Sequence, residues 1–203
     1  PQVGTDLPAG PSEVLVIADK DAQASFVAWD LLSQAEHGPD SQVILISSSK
    51  EKVVAVRELL NKEVQRMEES RKKVIEQSLS QSRAFICRDI DEALEISNKY
   101  APEHLILQVQ QPRFYQEKIK NAGSVFFGPW SPEAVGDYAS GTNHVLPTAG
   151  AAHFTGGVNL SSFLKSMTLQ ELSKEGLQNI AQTVETMAQN EGLPCHAQAV
   201  AIR

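Results

Sequence analysis

The sequence predicts an α/β fold, in which a layered sheet of parallel strands is followed by a small C-terminal helical appendage. Short, continuous apolar runs at residues 14–18 and 42–46 are typical of strands that are covered on both faces. Stretches with helical spacing of apolar residues separate such runs, and this alternation implies parallel pairing. Helical periodicity alone continues towards the C-terminus. We therefore expect an α/β segment at residues 1–158 and a helical appendage at residues 159–203.

The first predicted helix follows the first strand, and Asp19 or Asp21 is placed to cap it. Its apolar side chains recur at helical spacing, and Gly38 with Pro39 ends it. A long charged helix, continuous or broken, is expected between residues 50 and 80. The remaining predicted elements are strands at residues 83–87, 104–109 and 124–128, and helices that begin at Asp89, around residues 113–121, and after a capping box of Thr168 with Glu171.

Residues 131–157 have a different character, being rich in Gly, Pro, Thr and Asn with little periodicity. A long irregular segment inside a compact protein is usually functional. It contains GDYASGTNH at residues 136–144, where glycine allows the backbone to approach a ligand and Asp137 and His144 offer lone pairs. This segment points to an active site built from distant parts of the sequence, although Asp137 alone would be an ordinary turn aspartate.

The composition is ordinary for a globular protein and disfavours some classes of partner. The 203 residues include 25 acidic and 18 basic side chains, a net charge of −7 without a basic stripe. We therefore expect no binding to nucleic acid or to an anionic membrane. No apolar run approaches the ~20 residues that span a bilayer. Cys87 and Cys195 predict reduced thiols and a cytoplasmic location. The chain starts without Met or a signal peptide, as a chain entered midway would.

Two short groups of residues could carry metal or acid–base chemistry. Gln34 and His37 are three residues apart at a helix end, so both could reach one metal ion, but for such a pair alone a polar helix end exposed to water is favoured. Glu103 and His104 follow Pro102 at a helix-to-strand junction. They lie at the amino end of a strand, whereas ligands of parallel sheets bind at carboxyl ends. A capped junction with a solvent-facing Glu and a half-buried His is the alternative.

Other candidates are weaker. Ser12 ends a tight turn predicted from residue 6 and could contact a ligand, although turn serines usually bond their own backbone. His196 stands beside Cys195, but a catalytic Cys and His are normally brought together by the fold. No phosphate-binding or dinucleotide-binding glycine motif is present.

Four blocks of the sequence resemble the histidinol dehydrogenase family in both order and spacing. The resemblance extends over essentially all 203 residues and corresponds to the C-terminal half of the family's chain. It implies an incomplete Rossmann-like fold that lacks strands beside residues 14–18. The blocks are DLPAGPSEVLVIAD at residues 6–19, DLLSQAEHGPDSQV at 30–43, YAPEHL at 100–105 and SPEAVGDYASGTNHVLPT at 131–148.

The resemblance implies a zinc enzyme that oxidises L-histidinol through L-histidinaldehyde to L-histidine, with reduction of two NAD+, in the last steps of histidine biosynthesis. In this family the general base would be His104, and Glu103 would activate water for the aldehyde step. The implied zinc ligands are Gln34, His37, Asp137 and His196, completed by nitrogens of the substrate. The implied substrate contacts are Ser12, His144 and Glu191, together with the zinc ligands and the pair Glu103 and His104.

The family acts as a homodimer, so the resemblance also implies that Glu191 and His196 complete the partner's site. NAD contacts are expected in the half of the family's chain that these residues lack, and the 203 residues alone are expected not to support efficient hydride transfer. His153 has no recognised counterpart, and we expect it in a surface loop; Cys195 is expected not to replace His196 as a ligand. Two alternatives remain: a zinc hydrolase, and a non-catalytic module that binds zinc and imidazole.

Overall fold

The computed structural model describes Gly4, Leu7 and residues 10–203, so part of the turn predicted from residue 6 lies outside the described residues. Within that range a single sheet has the order β3-β2-β1-β4-β5, and every pairing is parallel. This is the strand order of a doubly wound fold, and it confirms the α/β prediction. The strands are β1 (Glu13–Ala18), β2 (Gln42–Ser47), β3 (Arg83–Ile86), β4 (His104–Gln108) and β5 (Ser124–Phe127).

Strand β1 is the centre of this sheet. It pairs with β2 from Glu13 to Ala18 and with β4 from Val14 to Ala18. The expectation that strands beside residues 14–18 are missing is therefore wrong. The chain itself supplies both neighbours, because it first adds β2 and β3 on one side of β1 and then crosses back to add β4 and β5 on the other.

The helices that connect these strands differ from the sequence prediction in one place, the segment at 113–121, and the helix expected between residues 50 and 80 takes its broken form. The charged region 50–80 forms two helices separated at residues 65–68, and the segment predicted as a helix at 113–121 is a 3₁₀ helix, Pro112–Lys118. The α-helices of this part of the chain are α1 (Ala24–Ala35), α2 (Lys50–Val64), α3 (Glu69–Gln81), α4 (Ile90–Tyr100) and α5 (Glu133–Tyr138).

The core has two layers, one on each face of the sheet. Because side chains alternate along a strand, Val14 and Val16 face α1, α2 and α3, whereas Leu15 and Ile17 face the layer that contains α4. Ile106 of β4 belongs to the α1 layer. All five side chains are fully buried. The same alternation determines which face of the sheet the side chain of each residue at the start of a strand lies on.

Neither Asp19 nor Asp21 caps α1. The N-cap residue is Gln23, and it makes no side-chain capping bond. The carboxyl of Asp19 instead accepts the backbone N–H groups of Asp21 and Ala22, each at 2.9 Å, and of Gln110 at 2.6 Å. Asp19 therefore closes the turn after β1 and joins it to the loop after β4.

The chain divides into two compact units, residues 1–163 and residues 164–203. The second unit contains α6 (Lys174–Asn190) and α7 (Pro194–Ala201). The predicted capping box of Thr168 with Glu171 is wrong, because α6 begins later and Ser173 caps it by accepting from the N–H of Gly176 at 3.0 Å. Among the described residues, no helix has the length and apolar character needed to cross a membrane.

Candidate metal and acid–base site

The topology brings several predicted residues to the edge of the sheet where the strands begin. Helix α1 runs from the carboxyl end of β1 towards the amino end of β2, so its last turn carries Gln34 to this edge, and His37 follows the helix end. Glu103 and His104 stand at the start of β4, at the same edge. Ligands of open α/β sheets usually bind at the opposite edge, and this arrangement departs from that rule.

The backbone of Glu13 holds the pair Glu103 and His104. Its N–H donates to Oε2 of Glu103 at 2.8 Å, and its carbonyl lies 3.0 Å from Nδ1 of His104. The contact arises because Val14, the next residue of β1, lies opposite His104 in the strand register. Glu103 and His104 are 5% and 3% exposed. The alternative of a solvent-facing Glu and a half-buried His is therefore wrong for both.

The bond to the carbonyl of Glu13 selects one tautomer of the His104 ring. A carbonyl oxygen can only accept, so Nδ1 carries the proton and Nε2 keeps the lone pair in the neutral ring. Nε2 is buried without a hydrogen-bond partner among the described residues, and Oδ1 of Asp137 lies 4.0 Å from it. Burial lowers the pKa of His104, although the bond to Glu13 and the charge of Asp137 oppose this effect. The ring is therefore an available base at neutral pH.

The carboxyl of Glu103 also has an altered pKa. Burial raises the pKa of Glu103 to about 7, opposed by the N–H of Glu13 and reinforced by the nearby carboxyls of Glu13 and Asp137. Its Oε2 lies 3.6 Å from Nδ1 of His104. A carboxyl with this pKa can both take and return a proton near neutral pH, which is what general acid–base catalysis requires.

Helix α5 brings in a carboxyl that sequence reasoning missed. Glu133 lies in the first turn of α5, is 2% exposed, and precedes Asp137 by one turn. One ligand atom each of His37, Glu133 and Asp137 lies within 4.8 Å of the others. Asp137 was expected in an irregular loop, whereas it occupies this short helix. The signal was the four-residue spacing of the two acids, which places both on one helix face.

The donor atoms of this cluster suit zinc. Imidazole nitrogen and carboxylate oxygen are both common zinc ligands. His37 is exposed and Asp137 is partly exposed, so an ion can reach the cluster from solvent. These two residues and the neighbouring Gln34 are three of the four ligands implied by the resemblance, and the structure places them in one region of the first unit.

Gln34 is fully buried, so the alternative of a polar helix end exposed to water does not describe it. In the amide orientation that satisfies both side chains, its Nε2 donates to Oε1 and Oε2 of Glu133 at 2.5 and 3.2 Å. Burial raises the pKa of Glu133 to about 9, reinforced by the charges of Asp137, Glu103 and Asp30. A carboxyl with this pKa is protonated at neutral pH, so the two contacts with the Gln34 nitrogen belong to its ionised form, which a cation bound beside it would favour.

A small cavity lies beside Glu103. Its volume is about 240 Å³, and His144 is among the residues that line it. The loop that carries His144 is attached to the sheet, because the N–H of Ala149 donates to Oε1 of Glu13 at 2.9 Å. Ser12 directly precedes β1 and is half-buried. The expected substrate contacts His144 and Ser12 thus flank the start of the sheet near Glu103 and His104.

The second unit carries the remaining predicted residues. Glu191 is the C-cap of α6 and His196 lies in α7, and both are exposed. Cys195 is exposed and Cys87 is buried, and neither forms a disulfide. The contributions of Glu191 and His196 to a site, and the expectation that Cys195 is no ligand, stay predictions.

His153 has a structural role. It ends a 3₁₀ helix, Ala151–His153, and its Nδ1 lies 2.9 Å from Nδ2 of Asn121. Its Nε2 lies 3.2 Å from the carbonyl oxygen of Lys99 near the end of α4. The exposed ring therefore connects the glycine-rich loop to two parts of the sheet domain.

Replacing Gly136 by Ala should destabilise the site from within. A Cβ at this position would lie 2.6 and 2.9 Å from two ring carbons of Phe126 and 3.0 Å from Oγ1 of Thr142. Since overpacking a core costs about 1–3 kcal/mol, we expect a loss of that size in the free energy of unfolding. Because Gly136 lies on α5, zinc affinity should fall as well. Denaturant unfolding measures the change in stability, and zinc titration measures the change in affinity.

Gly156→Ala is the matched control for this variant, since its Cβ would meet no atom within 4 Å. Equal stability of the two variants would contradict the packing argument.

The stability of the protein should depend on pH through Asp30. Burial raises the pKa of Asp30 from 3.8 to about 6, although a bond from Gln108 opposes this. A carboxyl whose pKa is higher in the folded than in the unfolded protein contributes its full stabilisation below the unfolded pKa. That contribution is lost as pH rises through the folded pKa, and for Asp30 the free energy of unfolding should fall by about 3 kcal/mol. Asp30→Asn should therefore be more stable than the wild type at pH 8 and equally stable at pH 4. Urea unfolding at both pH values tests this, with exposed Asp40→Asn as the control; a constant difference across pH would refute it.

Comparisons of sequence and of fold with known proteins point to one family. The family model described as histidinol dehydrogenase matches residues 1–203. Histidinol dehydrogenases of Xanthomonas axonopodis pv. citri (strain 306) and Vibrio vulnificus (strain YJ016) are 54% and 53% identical over 198 residues, which cover 98% of this chain and 46% of each relative. The crystal structure of histidinol dehydrogenase from Elizabethkingia anophelis superposes with a TM-score of 0.91 at 49% identity, covering 97% of this chain and 45% of that one. The chain thus spans about half the length of these relatives. It belongs to the histidinol dehydrogenase family.

Proposed function

We propose that the protein containing this chain oxidises L-histidinol through L-histidinaldehyde to L-histidine, with zinc bound and with NAD+ as oxidant. The observation that carries this proposal is the buried Nε2 of His104, which has no hydrogen-bond partner within the described part of the chain. It lies 4.0 Å from Oδ1 of Asp137, which forms a cluster with His37 and Glu133. This juxtaposition supports a base and a metal site that act together at one edge of the sheet. Membership of the family supports the choice of substrate.

The proposed reaction needs two bound groups, zinc and NAD+, in addition to the side chains of the site. Zinc would be held by Gln34, His37 and Asp137 of one copy together with His196 of a second copy, and it would fix the imidazole and amino nitrogens of histidinol. NAD+ would accept the hydride. Anchoring the substrate at both nitrogens leaves its alcohol carbon in a defined position, which lowers the entropic cost of reaching the transition state. Ser12, His144 and Glu191 would contact the substrate around this anchor.

In the first oxidation, Nε2 of His104 takes the hydroxyl proton as the hydride leaves the alcohol carbon. The ring then carries two protons, and Nδ1 continues to donate to the carbonyl of Glu13. Carboxyl oxygens of Glu103 and Glu133 lie 3.6 and 3.9 Å from Nδ1, and that of Asp137 lies 4.0 Å from Nε2. Of these carboxyls, Asp137 favours the protonated ring through its charge, so it stabilises the product of proton transfer.

In the second oxidation, Glu103 would remove a proton from water as the oxygen attacks the aldehyde carbon. The protonated His104 would return its proton to the aldehyde oxygen, which completes the hydrate. The hydrate would then lose a hydride from carbon to a second NAD+ and a proton to the neutral His104, which yields the carboxylic acid. The pKa of about 7 at Glu103 suits this step, because a base of that pKa is partly ionised at neutral pH.

The proposal is tested by following NADH formation from histidinol in the intact protein after zinc is removed and restored. We expect two NADH per histidinol, histidine as the product, and loss of activity without metal. A zinc-loaded protein that forms no NADH but hydrolyses esters or amides would support the zinc hydrolase instead. One that binds histidinol without binding NAD+ would support the non-catalytic module.

We also propose the assembly implied by the resemblance, a homodimer in which Glu191 and His196 of each copy complete the other's site. Mixing a His104→Asn variant with a His196→Ala variant tests this arrangement. Exchange of subunits should restore activity at one of the two sites, and a mixture as inactive as its components would exclude sharing. A cytoplasmic location remains the expectation from the two unpaired cysteines.

A further inference from the structure

We propose that Glu133 is a positioning residue, which holds the side-chain amide of Gln34 so that the amide oxygen is the atom offered to the metal. This inference rests on the proposed function, because it takes Gln34 as a zinc ligand. Nothing in the sequence resemblance gives Glu133 a role. The proposal depends on the contact between these two side chains and on their burial.

An amide ligand needs such a partner. The oxygen of a Gln side chain has lone pairs for a metal, whereas its NH2 group has none available. The two groups have nearly the same shape, so rotation of the amide by half a turn exchanges a ligand for a group that cannot bind the ion. In a buried position the choice between the two orientations is made by the neighbouring hydrogen-bonding groups.

For Gln34, the neighbouring group that determines the amide orientation is the carboxyl of Glu133. In the amide orientation that satisfies both side chains, both carboxyl oxygens lie within hydrogen-bonding distance of Nε2 of Gln34, at 2.5 and 3.2 Å. The two side chains are 2% and 0% exposed, so water cannot replace the contact easily. With the nitrogen held by Glu133, the amide oxygen occupies the other branch of the side chain. Partners of this kind orient metal ligands in other proteins, and their loss costs about 10–100-fold in metal affinity.

The place of Glu133 on α5 strengthens the argument. It lies one turn before Asp137, so a single short helix carries one carboxyl that would bind the metal and another that would orient a second ligand. Direct ligation by Glu133 is the competing possibility, because its carboxyl lies within 4.8 Å of ligand atoms of His37 and Asp137. Yet both of its oxygens already contact Gln34, and it is far less exposed than Asp137.

Zinc titration of the metal-free intact protein separates the possibilities. Glu133→Met keeps the volume but removes the acceptor, and it should weaken zinc binding about 10–100-fold. Glu133→Gln retains an acceptor oxygen, so its affinity should stay closer to the wild type than to Glu133→Met. Equal losses in the two variants would indicate a direct ligand and overturn the proposal. Circular dichroism of the metal-free variants shows that each is folded.

A double-mutant cycle supplies the second test. If Glu133 acts through Gln34, then Glu133→Met should cost no further affinity once Gln34→Ala is present. Full additivity of the two losses would refute the positioning role while leaving the proposed function intact. If Gln34→Ala and Asp137→Asn both bind zinc as the wild type does, the metal site itself is misplaced, and the proposed function fails together with this inference.

Discussion

Replacing His104 by Asn should lower kcat for histidinol oxidation by about 10²–10⁴-fold, the range that a general acid–base group contributes. The Asn amide nitrogen can take the place of Nδ1 and donate to the carbonyl of Glu13, so the start of β4 should keep its structure. What the variant lacks is the lone pair of Nε2, which is buried and unpartnered in the described part of the chain. Steady-state NADH formation at saturating histidinol measures the effect.

The control for this experiment is the binding of zinc and substrate. His104 is not among the proposed zinc ligands, so zinc stoichiometry should be unchanged, and KM for histidinol should change much less than kcat. His104→Gln offers a second comparison, since its longer side chain reaches towards the position of Nε2 but supplies no base. A His104→Asn protein with nearly normal kcat would remove His104 from the proposed mechanism.

The layered fold could be predicted from the sequence because it depends on local patterns. Apolar runs such as residues 14–18 and the helical spacing between them are visible along the chain. The neighbours of β1 could not be predicted, because strand order is decided by where each crossover returns. The start of α6 was misplaced for a related reason: Thr168 and Glu171 match a capping pattern, but Ser173 provides the cap in the structure.

For the candidate site, too, some features could be predicted from the sequence and others could not. Its residue types were recognised through the family resemblance, whereas local reasoning favoured an exposed position for Glu103. Burial of this carboxyl follows from the contact with Glu13, a pairing between strands that are far apart in sequence. Glu133 was missed because its proposed role depends on contact with Gln34. The two residues are far apart in sequence, so local patterns could not predict this contact. Long-range contacts, rather than residue types, are what the sequence alone leaves undetermined.

Replacing Glu103 by Gln should separate the two oxidations. The Gln side chain keeps an oxygen that accepts from the N–H of Glu13, so the geometry of the neighbouring His104 should be preserved. It cannot accept a proton from water, so oxidation of histidinaldehyde should slow by about 10²–10⁴-fold, as expected for loss of a general base. The alcohol step should be affected less, since it depends on His104. Single-turnover NADH yield should fall from two towards one per histidinol.

The matched control is Glu13→Gln, which changes a second buried carboxyl in the same region. Burial raises the pKa of Glu13 as well, opposed by hydrogen bonds from the backbone N–H groups of Ala149 and Glu103. If the aldehyde step needs a base at Glu103, Glu13→Gln should still release two NADH per histidinol. Loss of the second NADH in both variants would assign the effect to the electrostatics of two adjacent buried carboxyls. Retention of both NADH in Glu103→Gln, with histidinaldehyde supplied directly and oxidised at the normal rate, would show that water is activated elsewhere. The experiment therefore distinguishes a base at one carboxyl from a property that the pair shares.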